Sequence, residues 1–212
     1  MKLILTGQPG VGKSTILKKI YSSLKSLAPR GCIVEEERIG GVRTAFKLKY
    51  LPEERFVILA SANEILSNNF IGKYSINACE IKYGLIPYMY QLSACDNLII
   101  FDEIGRMQNT DKNFLGAVDY IMGLNIPIIS TVVHDDEVWS RSYKDNNKYF
   151  VITITENNRE YISELIISMI GSYSIYNSLP NTLKSKTICM FNNYINSCRF
   201  EDLKRLFERA GF

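Results

Sequence analysis

The stretch LTGQPGVGKST, residues 5–15, constrains this chain more than any other, because it fits G-x-x-x-x-G-K-[ST] at Gly7, Gly12, Lys13 and Ser14. Before it, Leu3-Ile4-Leu5 is a short apolar run that reads as a buried strand. After it, a helix is predicted over Thr15–Leu27, with Ile16, Ile20, Leu24 and Leu27 on one face and Lys18, Lys19 and Lys25 mostly elsewhere. Strand, glycine-rich turn and helix form the setting in which this motif holds phosphate. A surface turn that happens to carry a lysine is the plain alternative, and it accounts for neither flank.

The spacing follows from the chemistry. Around Gly7-Gln8-Pro9-Gly10-Val11-Gly12 the backbone N–H groups make an anion-binding nest, and a helix beginning near Ser14 and Thr15 adds its positive end. Lys13 is expected along the β- and γ-phosphates of a nucleoside triphosphate, and the Ser14 hydroxyl on Mg2+. Phosphate binding alone names no reaction.

Composition narrows the frame. A length of 212 residues, 46% hydrophobic and 22% charged, suits one soluble domain with an appendage. The net charge of +3 is too small to argue for a nucleic-acid partner. Five cysteines, at 32, 79, 95, 189 and 198, show no C-x-x-C pairing and read as buried or idle thiols of a reducing compartment. No apolar run reaches the roughly 18 residues of a membrane span. The chain enters a strand at once, which leaves no room for a signal peptide, so a cytoplasmic location is expected.

Further along, Cys32-Ile33-Val34 reads as a strand ending at the acidic run Glu35-Glu36-Glu37, and 46–59 reads as a β-hairpin turned at Pro52-Glu53-Glu54. A polar loop precedes GKYSINACEIK, and a helix is predicted with Pro87 near its start. Buried strands are marked by NLIIFDEIGRM (97–107) and by the runs 127–133 and 149–155, with helices over 114–124 and 158–170. Strands alternating with helices imply an α/β fold with a largely parallel sheet. Such sheets bind ligands at the carboxyl ends of their strands, where Asp102 and His134 fall. The division expected is a nucleotide-binding domain over 1–170 and a helical extension over 171–212. In the extension Phe200, Leu203, Phe207 and Ala210 share a helix face, for docking on the core or for a partner or second copy.

LIIFDEIG supplies the acidic half of the site. Asp102, ending a buried strand, is the usual carboxylate of the magnesium site in phosphate-loop proteins, although a carboxylate capping the next turn is common anywhere. Glu103 beside it can orient or deprotonate water. An N-K-x-D-like guanine reader is absent from the sequence, and Glu103 tilts the reading towards hydrolysis.

With these residues in view, the chain resembles the family of small nucleoside-triphosphatases first known from thermophiles. The stretches that carry the likeness are GQPGVGKST (7–15), EERIGGVRTAF (36–46), GKYSIN (72–77) with DEIGRM (102–107), and ITITENNRE (152–160). The family pattern of glutamate, arginine, paired glycines, arginine and phenylalanine falls on Glu36, Arg38, Gly40, Gly41, Arg43 and Phe46. Ala45 and Arg106 depart from it, and the likeness ends near residue 168. It implies a RecA-like phosphate-loop α/β fold. It also implies slow, magnesium-dependent hydrolysis of ATP, GTP and other nucleoside triphosphates.

Several roles stay open on sequence. Arg38 and Arg43 flank glycines, so their loop is either an arginine finger for the γ-phosphate or a hairpin with solvated arginines. Asn158 and Arg159 either meet the base or start a helix with Asn158 as its cap. His134 reads as a water-exposed loop residue rather than a phosphate sensor, and Trp139 as local packing. A small-molecule or nucleotide kinase and a non-catalytic nucleotide switch are the rival functions.

Overall fold

A computed structural model describes residues 1–196 and residue 205. In chain order the first part runs β1 (Lys2–Thr6), α1 (Lys13–Ser23), β2 (Arg30–Ile39), β3 (Val42–Leu51), β4 (Phe56–Ser61), β5 (Phe70–Ile71) and β6 (Tyr74–Ile76). A π-helical turn (Glu80–Leu85) leads into α2 (Ile86–Gln91), followed by β7 (Ile99–Ile104) and α3 (Phe114–Gly123). Then come β8 (Ile128–Val132), α4 (Val138–Lys144), β9 (Phe150–Thr153), α5 (Arg159–Gly171), α6 (Tyr173–Ser178) and α7 (Asn181–Asn196). The chain divides into two compact units, Met1–Ser26 with the segment from Pro127 onward, and Leu27–Ile126.

In the first unit the strand order is β8-β1-β9, all parallel, with Ile4 opposite both Ser130 and Val151. Leu3, Ile4 and Leu5 are fully buried, as a parallel strand covered on both faces must be. Helix α1 ends earlier than the apolar spacing predicts. Ile16 and Ile20 are buried, but the helix stops at Ser23 and a short 3-10 turn carries Lys25–Leu27. The C-terminal helices α6 and α7, whose polar stretch carries no clear sequence signal, pack on β9. The Phe191 ring meets Phe150 edge-on at 5.0 Å and Tyr176 meets it at 5.6 Å. Asn192 accepts the Val151 N–H at 2.8 Å and donates to the Tyr149 carbonyl at 2.9 Å. The expected apolar face at Phe200, Leu203, Phe207 and Ala210 lies outside the described residues.

In the second unit the strand order is β5-β6-β4-β3-β2-β7, antiparallel except for β2 beside β7. Strand β2 does not end at the acidic run as the sequence reading has it. It continues to Ile39 because β3 supplies a partner for each residue, with Glu35 opposite Lys47 and an ion pair between Glu37 and Lys47. The result is an antiparallel meander of β2, β3 and β4 rather than one hairpin. Its first turn is Gly40-Gly41, both at positive φ (57° and 80°), the backbone that two-residue hairpins need. The polar loop before GKYSIN contains β5, paired back on β6. The predicted helix at Pro87 begins earlier, at the π-helical turn, where Glu80 accepts the Tyr50 hydroxyl at 2.5 Å.

Candidate active site

Gly7 follows β1, His134 follows β8 and Asn158 follows β9, so three carboxyl ends of the parallel strands meet in the first unit. Gly7 is required there by close approach. A Cβ on it would lie 2.5 Å from the Ile154 carbonyl oxygen, and its φ is +142°. The loop then turns with Val11 N–H on the Gln8 carbonyl at 3.3 Å, leaving Gln8, Pro9 and Gly10 exposed. Gly12 precedes α1 in the left-handed region, and no side chain caps the helix. The first N–H groups of α1 thus have no side-chain cap, and a helix N-terminus of that kind is suited to an anion. Lys13 Nζ donates to the carbonyls of Gly7 (2.8 Å) and Gln8 (3.2 Å), lying across the loop. Ser14 is half-buried and Thr15 exposed in the first turn of α1.

Asn158 is buried, and both ends of its carboxamide are engaged. Oδ1 accepts the Thr155 N–H at 2.9 Å and Nδ2 donates to the Thr153 carbonyl at 2.8 Å. Asn158 stands at the N-cap position of α5, as the capping alternative has it, but its carboxamide braces the β9–α5 turn and makes no side-chain cap bond to the helix. Arg159 is exposed and paired with Glu160 at 3.3 Å. His134 is exposed, with Nδ1 3.5 Å from the Thr6 hydroxyl. Trp139 donates to Glu137 at 2.7 Å, a local contact as expected.

In the second unit Asp102 is 1% exposed near the end of β7, joined to Glu103 by a cis peptide bond. Glu103 is half-buried, and Gly105 leaves room for it: a Cβ there would come within 3.1 Å of Oε1. The Cys32 thiol donates to the Asp102 carbonyl at 3.9 Å, and burial with the nearby Asp102 charge pushes its pKa well up. Its thiol is consequently an inert core group rather than a nucleophile.

Arg38 and Arg43 lie in β2 and β3, not in a free loop. They are register partners, and Glu36 takes both: Oε2 accepts Arg38 Nη2 and Oε1 accepts Arg43 Nη1, each at 2.6 Å. Arg43 also donates to the Tyr74 hydroxyl at 3.1 Å and lies over the rings of Phe46 and Tyr74. Partial burial works to raise the Glu36 pKa, but hydrogen bonds from Arg43 and Arg38 outweigh it and hold the carboxyl below its ordinary range. Sequence reasoning placed Glu36 in a motif without a role and gave Tyr74 none. The signals were the acidic residue two before Arg38 and the tyrosine inside GKYSIN.

Comparison with known proteins agrees with this geometry. The NTPase family model matches residues 2–167. The nucleoside-triphosphatase THEP1 of Archaeoglobus fulgidus is 32% identical over 167 residues, covering 78% of this chain and 96% of that protein. Its counterpart in Thermotoga sp. (strain RQ2) is 28% identical over 170 residues, covering 80% and 95%. Among solved structures, THEP1 from Aquifex aeolicus superposes with a TM-score of 0.68 at 30% identity, over 80% of this chain and 99% of that one. A human cancer-related nucleoside triphosphatase gives 0.66 at 23% identity, over 81% and 97%, a likeness of fold. Helices α6 and α7 lie beyond the family match. With its glycine loop, its parallel strands and a family match across most of its length, the chain belongs to the NTPase family.

Proposed function

We propose that this chain hydrolyses nucleoside 5′-triphosphates, ATP and GTP among them, to the diphosphate and phosphate, slowly and with Mg2+. The observation that carries the reading is the Gly7–Thr15 loop, wrapped before an uncapped helix with Lys13 laid across it. The names of the related proteins point the same way.

Ser14 and Asp102 are the groups assigned to the metal. A hydroxyl and a carboxylate are the oxygen donors that Mg2+ takes. Mg2+ when bound neutralises charge on the β- and γ-phosphate oxygens.

The remaining work falls to the chain's own side chains. Lys13 exchanges its two carbonyl partners for phosphate oxygens. Glu103 orients the attacking water and accepts its proton. Arg38 and Arg43 supply positive charge to the transition state when the Glu36 contacts open. Arg159 borders the nucleoside, with Asn158 holding its turn. No guanine- or adenine-specific motif stands in the sequence, so ATP and GTP are used within about tenfold of each other, or ~1.4 kcal/mol. The described cysteines are unpaired thiols, in keeping with a reducing, cytoplasmic setting.

The test is release of phosphate from labelled ATP and GTP by the purified chain with Mg2+, with and without acceptor molecules. Lys13→Ala abolishes turnover. Glu103→Gln lowers kcat by about 10²–10⁴ while triphosphate binding holds. A labelled acceptor in place of free phosphate identifies a kinase, and binding with neither product identifies a switch.

A further inference from the structure

Strand β4 ends both of its ladders at Ser61, opposite Ala45 of β3 and Ser75 of β6. There the Ser61 hydroxyl accepts the N–H groups of Asn63 and Glu64, each at 3.1 Å, and the chain turns away. Arg43, two residues before Ala45, and Tyr74, one before Ser75, therefore lie past the end of the strand between them. Across that gap they meet. Tyr74 is buried, its ring edge-on to Phe46 at 5.1 Å. The Arg43 guanidinium lies over both rings, 4.9 Å from Phe46 and 5.8 Å from Tyr74.

The Tyr74 hydroxyl acts on both halves of Arg43. It accepts Nε–H at 3.1 Å and donates to the Arg43 carbonyl at 3.3 Å, tying the guanidinium to the residue's own backbone. Glu36 takes Nη1, and Nη2 has no hydrogen-bond partner among the described residues. Arg38 is held differently. Its Nε and Nη2 both go to Glu36, and Nη1 goes to the Gly41 carbonyl of the turn at 3.2 Å. Its side chain is 54% exposed, with no ring beneath it among the described residues. Opening of the Glu36 contacts thus leaves Arg38 one turn carbonyl, whereas Arg43 keeps its tyrosine and two rings. A freed arginine regains its rotamers, and ordering it again in the transition state works against the rate.

We infer that Tyr74 is a positioning residue for the hydrolytic step: its hydroxyl holds the Arg43 guanidinium in one orientation after Glu36 lets go, with Nη2 open to an anionic oxygen. The role rests on the hydrolase reading for its reaction, and it makes the two arginines unequal.

Two measurements on the full chain test this role, and the first needs no catalysis. In a 1H–15N spectrum of the arginine Nε–H groups, Arg38 and Arg43 are assigned by their loss in Arg38→Lys and Arg43→Lys. In Glu36→Ala the Arg38 signal is expected to exchange faster with water, while the Arg43 signal stays slow until Tyr74→Phe is added. Equal loosening of both arginines in Glu36→Ala, or an Arg43 signal indifferent to Tyr74→Phe, overturns the hold. The second measurement is phosphate release from ATP with Mg2+. Tyr74→Phe keeps the ring and is expected to lower kcat and kcat/KM together by about tenfold, the low end for a hydrogen bond to a charged group, with KM unchanged. In an Arg43→Ala background the same change is expected to have no further effect. A parental kcat, a loss carried by KM alone, or an equal loss in the Arg43→Ala background overturns the role. The hydrolase reading fails separately. No phosphate release with Arg43 still held ends that reading and leaves the Tyr74 hold established, and phosphate release with an Arg43 that loosens ends the Tyr74 role alone.

Discussion

Arg38 and Arg43 stand opposite each other across the first hairpin of the meander, and each grips a different oxygen of the same carboxylate, Glu36. Like charges in directly opposed positions destabilise a strand pair. One side chain reverses the sign of that interaction. The Gly40-Gly41 turn brings the arginines face to face, and Glu36 makes the arrangement stable.

Replacing Glu36 with Ala is therefore expected to lower stability by about 1 kcal/mol, the scale for half-exposed ion pairs. Added salt should recover much of the loss, because it screens the arginine–arginine repulsion. Urea unfolding at low and high ionic strength measures both effects. A variant as stable as the parent at low salt would show that the two arginines do not repel.

Acid should act on the same carboxylate. The Glu36 pKa is lowered in the folded chain and is near 4.3 for an ordinary glutamate. The unfolded chain thus takes up its proton first, so stability falls as pH drops from about 5 through the folded value. The contribution is fully present above that window. Urea midpoints followed downward from neutral pH should fall less steeply in Glu36→Gln than in the parent, and an identical slope would remove Glu36 from the acid response.

Gly7→Ala is expected to damage both fold and binding. The added methyl would meet the Ile154 carbonyl at 2.5 Å at a φ of +142°, so backbone must move. Strain of this kind costs about 1–3 kcal/mol. Denaturant unfolding reads the first effect and nucleotide calorimetry the second. Parental values in both would show that the loop start tolerates a side chain.

Phe191→Ala tests the helices beyond the family match. Phe191 is fully buried against Phe150, and removing a core phenylalanine costs about 3–5 kcal/mol. Thermal unfolding should show a clear drop in Tm. A shift no larger than that of an exposed-site variant would mean that α7 contributes little to holding β9.

The strand, glycine loop and helix of the candidate site were legible because glycine spacing and apolar runs are local signals. Gly7, Gly12 and Lys13 lie within one loop, and Leu3–Leu5 reads as a buried strand from its own composition. The long β2 was not legible: Glu35, Glu36 and Glu37 look like a strand's end until the β2–β3 register sets Lys47 opposite Glu35 and pairs it with Glu37, while Arg38 and Arg43 close on Glu36. Helix α7 was hidden for another reason. Its buried residues Ile188, Phe191 and Ile195 have helical spacing, but Asn, Thr, Ser and Lys around them depress the apolar signal. Asn158 presents as a cap or a ligand in sequence, and only the path of its turn shows both ends of the amide engaged.

The Asn192 contact with β9 has a consequence for how copies of this protein behave in a crowded solution. β9 is the outermost strand of its order, and an outer strand offers its backbone to any other strand that drifts past. The Asn192 carboxamide, with one acceptor and one donor, imitates the peptide group of such a visitor at Val151 and Tyr149. A helix that carries a counterfeit strand in this way satisfies the margin of the sheet without extending it. At that point a single amide already holds the backbone groups that another strand would need.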